Sequence, residues 1–339
     1  MKLDVAMLIK NPLEAAAFAA AAEREGFASV YTFEGQHDPL LPLAIAAEHT
    51  ENLELMTAIT VALARSPLTL AHTAYDLQLM SQGRLILGLG TQVKAHIERR
   101  YGMPWSRPAA RMREFVQALQ AIWSCWQTGE KLAFEGEFYR HTLMPPTFTP
   151  EPNPYGIPRV FLAGVGPLMV QVAGEVGDGY IVHPFHTRRH LSEHSLPALA
   201  RGLAISGRTR AQIEVSCQII MATGADAATI EQATAAARRQ IGFYASTPAY
   251  LPVLECMDRT DIHQPLLAMS REGQWDRMGD LIDDALLHAV AAVGTPHQVA
   301  ERILETRGDL VDRISLIAYG VDIALFASVG NALKALTSS

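Results

Sequence analysis

Cysteine is scarce in this chain: Cys125, Cys217 and Cys256 are the only three among 339 residues, odd in number, far apart and without a C-x-x-C pair. That excludes a disulfide framework and a zinc or thioredoxin-type motif, and it predicts a reducing, cytoplasmic setting. No apolar run is long enough to cross a membrane. The first residues, MKLDVAMLIKNP, do not read as a secretory leader because Asp4 interrupts them. Charge is also sparse, at 19% of residues with a net −7, so no basic surface for nucleic acid is expected. The G-L-G at 88–90 and the G-V-G at 164–166 both lack the third glycine of a dinucleotide fingerprint, since Val93 and Met169 stand there. There is no H-E-x-x-H, and no residue-level repeat.

What is present is apolar residue, 49% of the chain, arranged as alternating strand and helix patterns. Strands are expected at Leu3–Ile9, Ala28–Phe33, Leu53–Thr60, Arg84–Gly90, from Val160, from Gly179, at Ile213–Met221 and at Asp312–Ala318. Helical stretches separate them, including Pro108–Thr128 and Ala225–Tyr244, and a last helix spans Asp322–Leu336. Eight βα repeats in order predict a single α/β domain over residues 1–339, a (β/α)8 TIM barrel. Two longer interruptions, 131–158 and 247–292, are expected at the carboxyl face, where they cover an active site. The first carries the hairpin-like LAFEGEFYRH and six prolines. Before the eighth strand, VGTPHQVAERI opens a helix with Thr295 as N-cap and Gln298 completing a capping box.

The most informative stretch is RVFLAGVGPLMVQVAGEVGDGYIVH, Arg159 to His183. Val160, Phe161 and Leu162 read as a strand buried on both faces. Gly164 and Gly166 allow a sharp turn, Pro167 opens a helix expected to stop at Gly174–Gly179, and Tyr180 begins the next strand. A helix N-terminus in a glycine turn is an anion site. In a barrel the chemistry sits at the carboxyl ends of strands. Those ends hold few ionisable groups: Glu34, His37, Asp38 and His183. The rest is glycine and small apolar residue, which suits a flat ring with its phosphate in the glycine turn.

These residues, together with LMTAITVALARSPLTLA, SQGRLILGLGTQ, the RMREF helix start at Arg111–Phe115 and FEGEFY, resemble the bacterial luciferase-like superfamily, in particular its coenzyme F420-dependent oxidoreductases. The resemblance runs over almost the whole chain. It implies a barrel that moves a hydride between the deazaflavin and a small organic substrate. It also implies that Ala163, Gly164, Val165 and Gly166 hold the cofactor phosphate, and that Gly88, Gly90, Thr91 and Gln92 lie along the cofactor. Ala58, Ile59 and Thr60 would support the ring from behind, with a cis peptide at Ala58–Ile59, and His183 would line the pocket. Relatives often form dimers, so a homodimer is implied. Two departures stand out. Leu168 takes a position that is basic in many relatives, and Gly35 and Gln36 separate Glu34 from His37 where relatives place an acid and a histidine together.

Glu34 and His37 are the candidates for catalytic proton handling, because a carboxylate at a buried strand end and an imidazole near neutrality suit that task. Each has a structural alternative: Glu34 as partner of an arginine, and His37 as a helix cap beside Asp38. The cluster His183, His186, His190 and His194 invites a metal, but Arg188 and Arg189 among it argue against a cation, so no metal is expected. The basic loop Lys94, Arg99, Arg100, Arg107, Arg111 and Arg113 either meets a polyanionic cofactor tail or forms a salt-bridged surface. Two functional alternatives stay open: an FMN-dependent monooxygenase, and a barrel that binds without catalysis.

Overall fold

The structure, a computed structural model, describes residues 1–318 and 322–337. Eight parallel strands form its centre: β1 Lys2–Ala6, β2 Ser29–Thr32, β3 Glu54–Thr57, β4 Leu85–Gly90, β5 Arg159–Gly164, β6 Gly179–Val182, β7 Glu214–Ala222 and β8 Arg313–Ile317. Each pairs with the next, and β8 pairs with β1 (Leu3 opposite Ile314), so the sheet closes into the expected (β/α)8 barrel. Every strand sends an apolar side chain inward: Ala6, Tyr31, Met56, Ile86, Phe161, Ile181, Ile220 and Ile317 belong to one cluster. The neighbouring positions point outward against the helices, as period-two alternation requires.

The amino-terminal end of the barrel is closed by charge. Arg313 and Asp4, both fully buried, pair at 2.7 Å, and Arg313 also meets Glu54 at 2.7 Å and Glu214 at 2.9 Å. Arg159 and Lys2 bridge the same two glutamates. Burial raises the Glu54 and Glu214 pKa values, but the arginines more than offset it and hold both carboxyls below their usual range. Five of these six charges open their strands and Asp4 is the third residue of β1, a placement that alternation alone does not reveal.

Helices α1 Ala15–Arg24, α2 Leu41–Glu48, α3 Pro67–Met80, α4 Pro108–Thr128, α5 Pro167–Val176 and α6 Leu196–Ser206 surround the barrel. Helix α5 ends at Val176, inside the expected Gly174–Gly179 stretch, and runs through Gly174 itself. A Cβ on Gly174 would lie 2.4 Å from the Leu199 carbonyl, and one on Gly202 would lie 1.9 Å from that of Gln171. The glycine therefore serves the close crossing of α5 and α6 rather than helix termination, which falls at Gly177.

Between β7 and β8 the sequence misleads. The helix α7 Ala227–Ala245 reads as the wall helix after β7, yet it packs on Trp275–Leu281, Asp284–Val290 and the end of β7. After this excursion the short strand Ala291–Val293 pairs with Ile220–Ala222, the same residues at which the chain left. The wall helix is α8 Pro296–Arg307, with the expected Thr295–Gln298 capping box, and α9 Ile323–Thr337 follows β8. The excursion thus spans 223–290 rather than 247–292. Its apolar residues Ile241, Val253 and Leu266 share the cluster of the barrel interior, which places it over the carboxyl face.

The 131–158 segment departs from expectation. It joins the end of α4 to the start of β5, and its hairpin (Phe134–Glu135 with Arg140–His141) packs on the outside of α4. There Glu114 accepts the N–H groups of Glu137, Phe138 and Tyr139, and Arg111 donates to the Tyr139 hydroxyl at 2.9 Å. It braces that helix instead of covering the strand ends.

Candidate active site

The carboxyl ends of the strands make an apolar floor. Ala58, Ile59, Ala163 and Val165 pack against the barrel's inner cluster, and the Ala58–Ile59 peptide is cis, as the resemblance implies. Gly88 and Gly90 explain how that backbone is accommodated. A Cβ on Gly88 would sit 1.7 Å from the Thr57 carbonyl, and one on Gly90 would sit 2.9 Å from the Ile59 side chain. The Thr57 hydroxyl fixes the same seam, donating to the Gly88 carbonyl at 2.7 Å and accepting its N–H at 2.9 Å. These two glycines therefore make room for the neighbouring strand. Thr91 and Gln92 form a self-contained turn: the Thr91 hydroxyl donates to the Gln92 carbonyl, Gln92 has φ 60°, and its side-chain oxygen accepts the Val93 N–H.

The glycine turn has two different glycines. The Cβ that Gly164 lacks would fall 2.6 Å from Met169, so helix α5 packs into that space. At Gly166 a Cβ would meet nothing within 4 Å, and Gly166 is the N-cap of α5. The Leu168 N–H in the first turn has no intrahelical acceptor, and Leu168 itself is exposed. The groups that this turn offers to an anion are backbone N–H groups and the helix end. Thr60, on a short segment paired with β4, and Thr223, just after β7, carry buried hydroxyls with no partner among the described residues. An open anion cradle, an apolar floor and spare buried hydroxyls fit a ring-bearing phosphorylated cofactor.

Glu34 is tied down. Its carboxylate accepts from Arg65 at 2.5 Å, the Val61 N–H at 2.8 Å and the Tyr101 hydroxyl at 2.9 Å. Arg65 also reaches Asp38 at 3.0 Å, while Asp38 caps the N–H of Leu40 at 2.8 Å. His37 bonds through Nε2 to the Lys10 carbonyl at 2.9 Å. The arginine partner for Glu34 and the cap at Asp38 are therefore both present, and His37 spends Nε2 on the Lys10 carbonyl. The cause is local: Tyr31 points inward, so Glu34 at three positions on falls on the side of the strand facing Val61 and Arg65. Arg65 and Tyr101 carried no sequence signal. Glu34→Gln is expected to cost about 2 kcal/mol in urea unfolding, because the donors around it lose a charged acceptor. Cofactor affinity should stay within about threefold, and a large loss of turnover without loss of stability would restore a catalytic role.

His183 extends β6 inward beyond Ile181. Its ring packs on Tyr250 at 4.4 Å and edge-on to Tyr244 at 4.8 Å, both from the excursion. Its Nδ1 accepts the Phe185 N–H at 3.1 Å, and burial pushes its pKa down to about 3. His186 lies behind, its Nδ1 donating to the His183 carbonyl at 2.9 Å and its Nε2 accepting from Arg307 at 2.9 Å. Burial and the Arg307 charge keep that imidazole neutral. The four histidines do not converge, and no group of three metal-ligating side chains occurs among the described residues.

Of the basic loop, Arg107 pairs with Glu137, Arg113 with Glu175 and Lys94 with Glu98, while Arg100 donates to the Gly35 carbonyl. This is largely a salt-bridged surface. A surface groove of about 480 Å³, lined by Arg239, Phe243, Trp275 and Asp276 among others, opens on the excursion and involves no strand end. No helix among the described residues is long and apolar enough to cross a membrane.

Comparison with known proteins now adds to this geometry. An uncharacterised protein of Mycobacterium tuberculosis is 54% identical over 315 residues, 93% of this chain and 92% of that one. A Beutenbergia cavernae protein named F420-dependent glucose-6-phosphate dehydrogenase is 32% identical over 237 residues, 66% of this chain and 68% of its own. The solved coenzyme F420-dependent tetrahydromethanopterin reductase of Methanopyrus kandleri superposes with TM-score 0.80 at 20% identity, covering 99% of both chains, a likeness of fold. The family model of luciferase-like monooxygenases matches residues 4–313, and the chain belongs to that family.

Proposed function

We propose that the protein is a coenzyme F420-dependent oxidoreductase that transfers a hydride between the deazaflavin and a small organic substrate. The observation that carries this reading is the open cradle at Gly166 beside the apolar floor of Ile59, Ala163 and Val165. The relative named as F420-dependent, at 32% identity, supports the deazaflavin over FMN. In this reading Ala163–Gly166 and the first turn of α5 bind the phosphate. Ala58–Thr60 back the ring, the glycines at 88 and 90 allow that backing, and Thr91, Gln92 and His183 lie around it. The cofactor supplies the hydride chemistry; the protein binds, orients and keeps water away. The reading includes the homodimer that the resemblance implies and the cytoplasmic setting expected from cysteine usage.

Calorimetric titration with F420 and with FMN tests it. A Kd for F420 near or below ~1 μM, corresponding to about 8 kcal/mol, with FMN at least tenfold weaker, is the expected result. Tighter FMN binding would favour a flavin monooxygenase. Binding of neither, with no turnover, would favour a barrel without catalysis.

A further inference from the structure

We propose that the Nε2–H of His183 is the hydrogen-bond donor to the oxygen of an uncharged carbonyl substrate or of the alcohol derived from it. The inference rests on the oxidoreductase reading above for the reaction, though not for the contact itself. On seven of the barrel strands an inward position at or just past the carboxyl end falls on described residues. Alternation from the inward layer places Leu8, Phe33, Ala58, Gly90, Ala163 and Ala222 inward on six of them. On β6 the same alternation places His183. Among these positions it is the side chain able to donate a proton, and none of them is charged. A substrate whose reacting end were a phosphate or carboxylate would find no compensating cation at this rim, whereas a neutral oxygen needs only one donor.

The tautomer follows from the hydrogen bonds. Nδ1 accepts the Phe185 N–H at 3.1 Å, so in the neutral ring the proton resides on Nε2. The ring's orientation is set on two sides by Tyr244 and Tyr250, at 4.8 and 4.4 Å, and on the third by the Phe185 backbone. Nδ1 and the two rings together fix the direction of Nε2. Burial keeps the imidazole neutral down to about pH 3, so it acts as a donor across the working range rather than as a titrating acid. A neutral imidazole polarising a carbonyl is an established catalytic pattern. In the reducing direction the reduced cofactor, when bound, would supply a hydride, two electrons with one hydrogen, to the carbonyl carbon. The carbonyl π pair moves onto oxygen, where Nε2–H stabilises the charge, and that oxygen takes one proton from solvent. The reverse sequence oxidises the alcohol.

Two variants separate donation from packing. His183→Phe keeps a ring between Tyr244 and Tyr250 but has no donor; His183→Gln places an N–H near the position of Nε2. With cyclohexanone and acetaldehyde as probes, His183→Phe is expected to lower kcat at least about 100-fold, the scale of losing one oxyanion donor, and His183→Gln less than about tenfold. F420 affinity of the two variants should agree within about threefold, since both keep a side chain of similar size at that place. Equal losses in the two variants, or none in His183→Phe, would overturn the proposal. A second readout needs no cofactor. In nitrogen-15-labelled wild-type protein, isobutyramide, whose carbonyl accepts a hydrogen bond but takes no hydride, is expected to shift the Nε2 resonance that disappears in His183→Phe. A shift there in a protein that ignores F420 would reject the cofactor reading and keep the donor. An unmoved Nε2 signal at saturating amide would reject the donor whatever the cofactor.

Discussion

Replacing Arg313 by methionine is expected to cost about 3–5 kcal/mol, because it strands a fully buried Asp4 and removes the cation shared by Glu54 and Glu214. Urea unfolding at pH 7 measures it as a shift in midpoint at unchanged slope. The double change Asp4→Leu with Arg313→Met should recover a substantial part of the loss, since it removes the uncompensated charge along with its partner. The pH dependence has a definite sign. Glu54 and Glu214 have depressed folded-state pKa values, so their contribution is complete above the unfolded carboxylate value and disappears as pH falls through the folded one. The gap between wild type and Arg313→Met should therefore narrow in acid. A gap that is small at pH 7, or that widens on acidification, would mean the charge cluster does not close the barrel.

The second large effect is at the cofactor cradle. Gly166→Asp is expected to weaken F420 binding at least 100-fold while leaving the melting temperature equal or slightly higher. Gly166 has φ −70° and ψ 146°, which any residue adopts, and a side chain there enters open space. Aspartate is also a preferred N-cap, so its carboxylate takes the helix N–H groups for itself and stabilises α5 by up to about 1 kcal/mol. A phosphate arriving at the same donors meets a like charge at roughly 4 Å, a repulsion of about 4 kcal/mol at an effective dielectric of 20. Gly164 is the contrasting control. Gly164→Ala drives a methyl into Met169 and is expected to cost about 1–3 kcal/mol of stability. If Gly166→Asp binds F420 normally, the phosphate lies elsewhere, and the exposed Leu168 gains meaning as the mark of a relocated site.

Much of the barrel is legible in the sequence because its signals are local. Strand boundaries from Leu85 to Gly90 and from Arg159 to Gly164 follow from unbroken apolar runs, and α8 from its Thr295–Gln298 capping box. The motifs that carry the resemblance are likewise contiguous, and they located the cis Ala58–Ile59 bond that periodicity alone does not detect. Where the reading fails, the missing information is non-local. Helix α7 has the length and pattern of a wall helix, and only its packing on Trp275–Leu281 shows that it belongs to the excursion. Gly174 carries the sign of a helix stop, and only the Leu199 carbonyl opposite shows that it serves a helix crossing.

The candidate site divides in the same way. The glycine turn and the scarcity of charge at the strand ends are properties of the chain itself, and they point to a ring with a phosphate. The roles of individual side chains are not. Glu34 looks like a catalytic carboxylate until Arg65 and Tyr101, 31 and 67 positions away, take its oxygens. His183 looks like one of four loosely spaced histidines until Tyr244 and Tyr250 arrive from the excursion to hold it. The sequence by itself determined the barrel and its family resemblance, because short-range pattern encodes these. The tertiary structure decided which polar groups are already satisfied and which stay available, because that depends on partners tens of residues away, brought together only when the barrel closes.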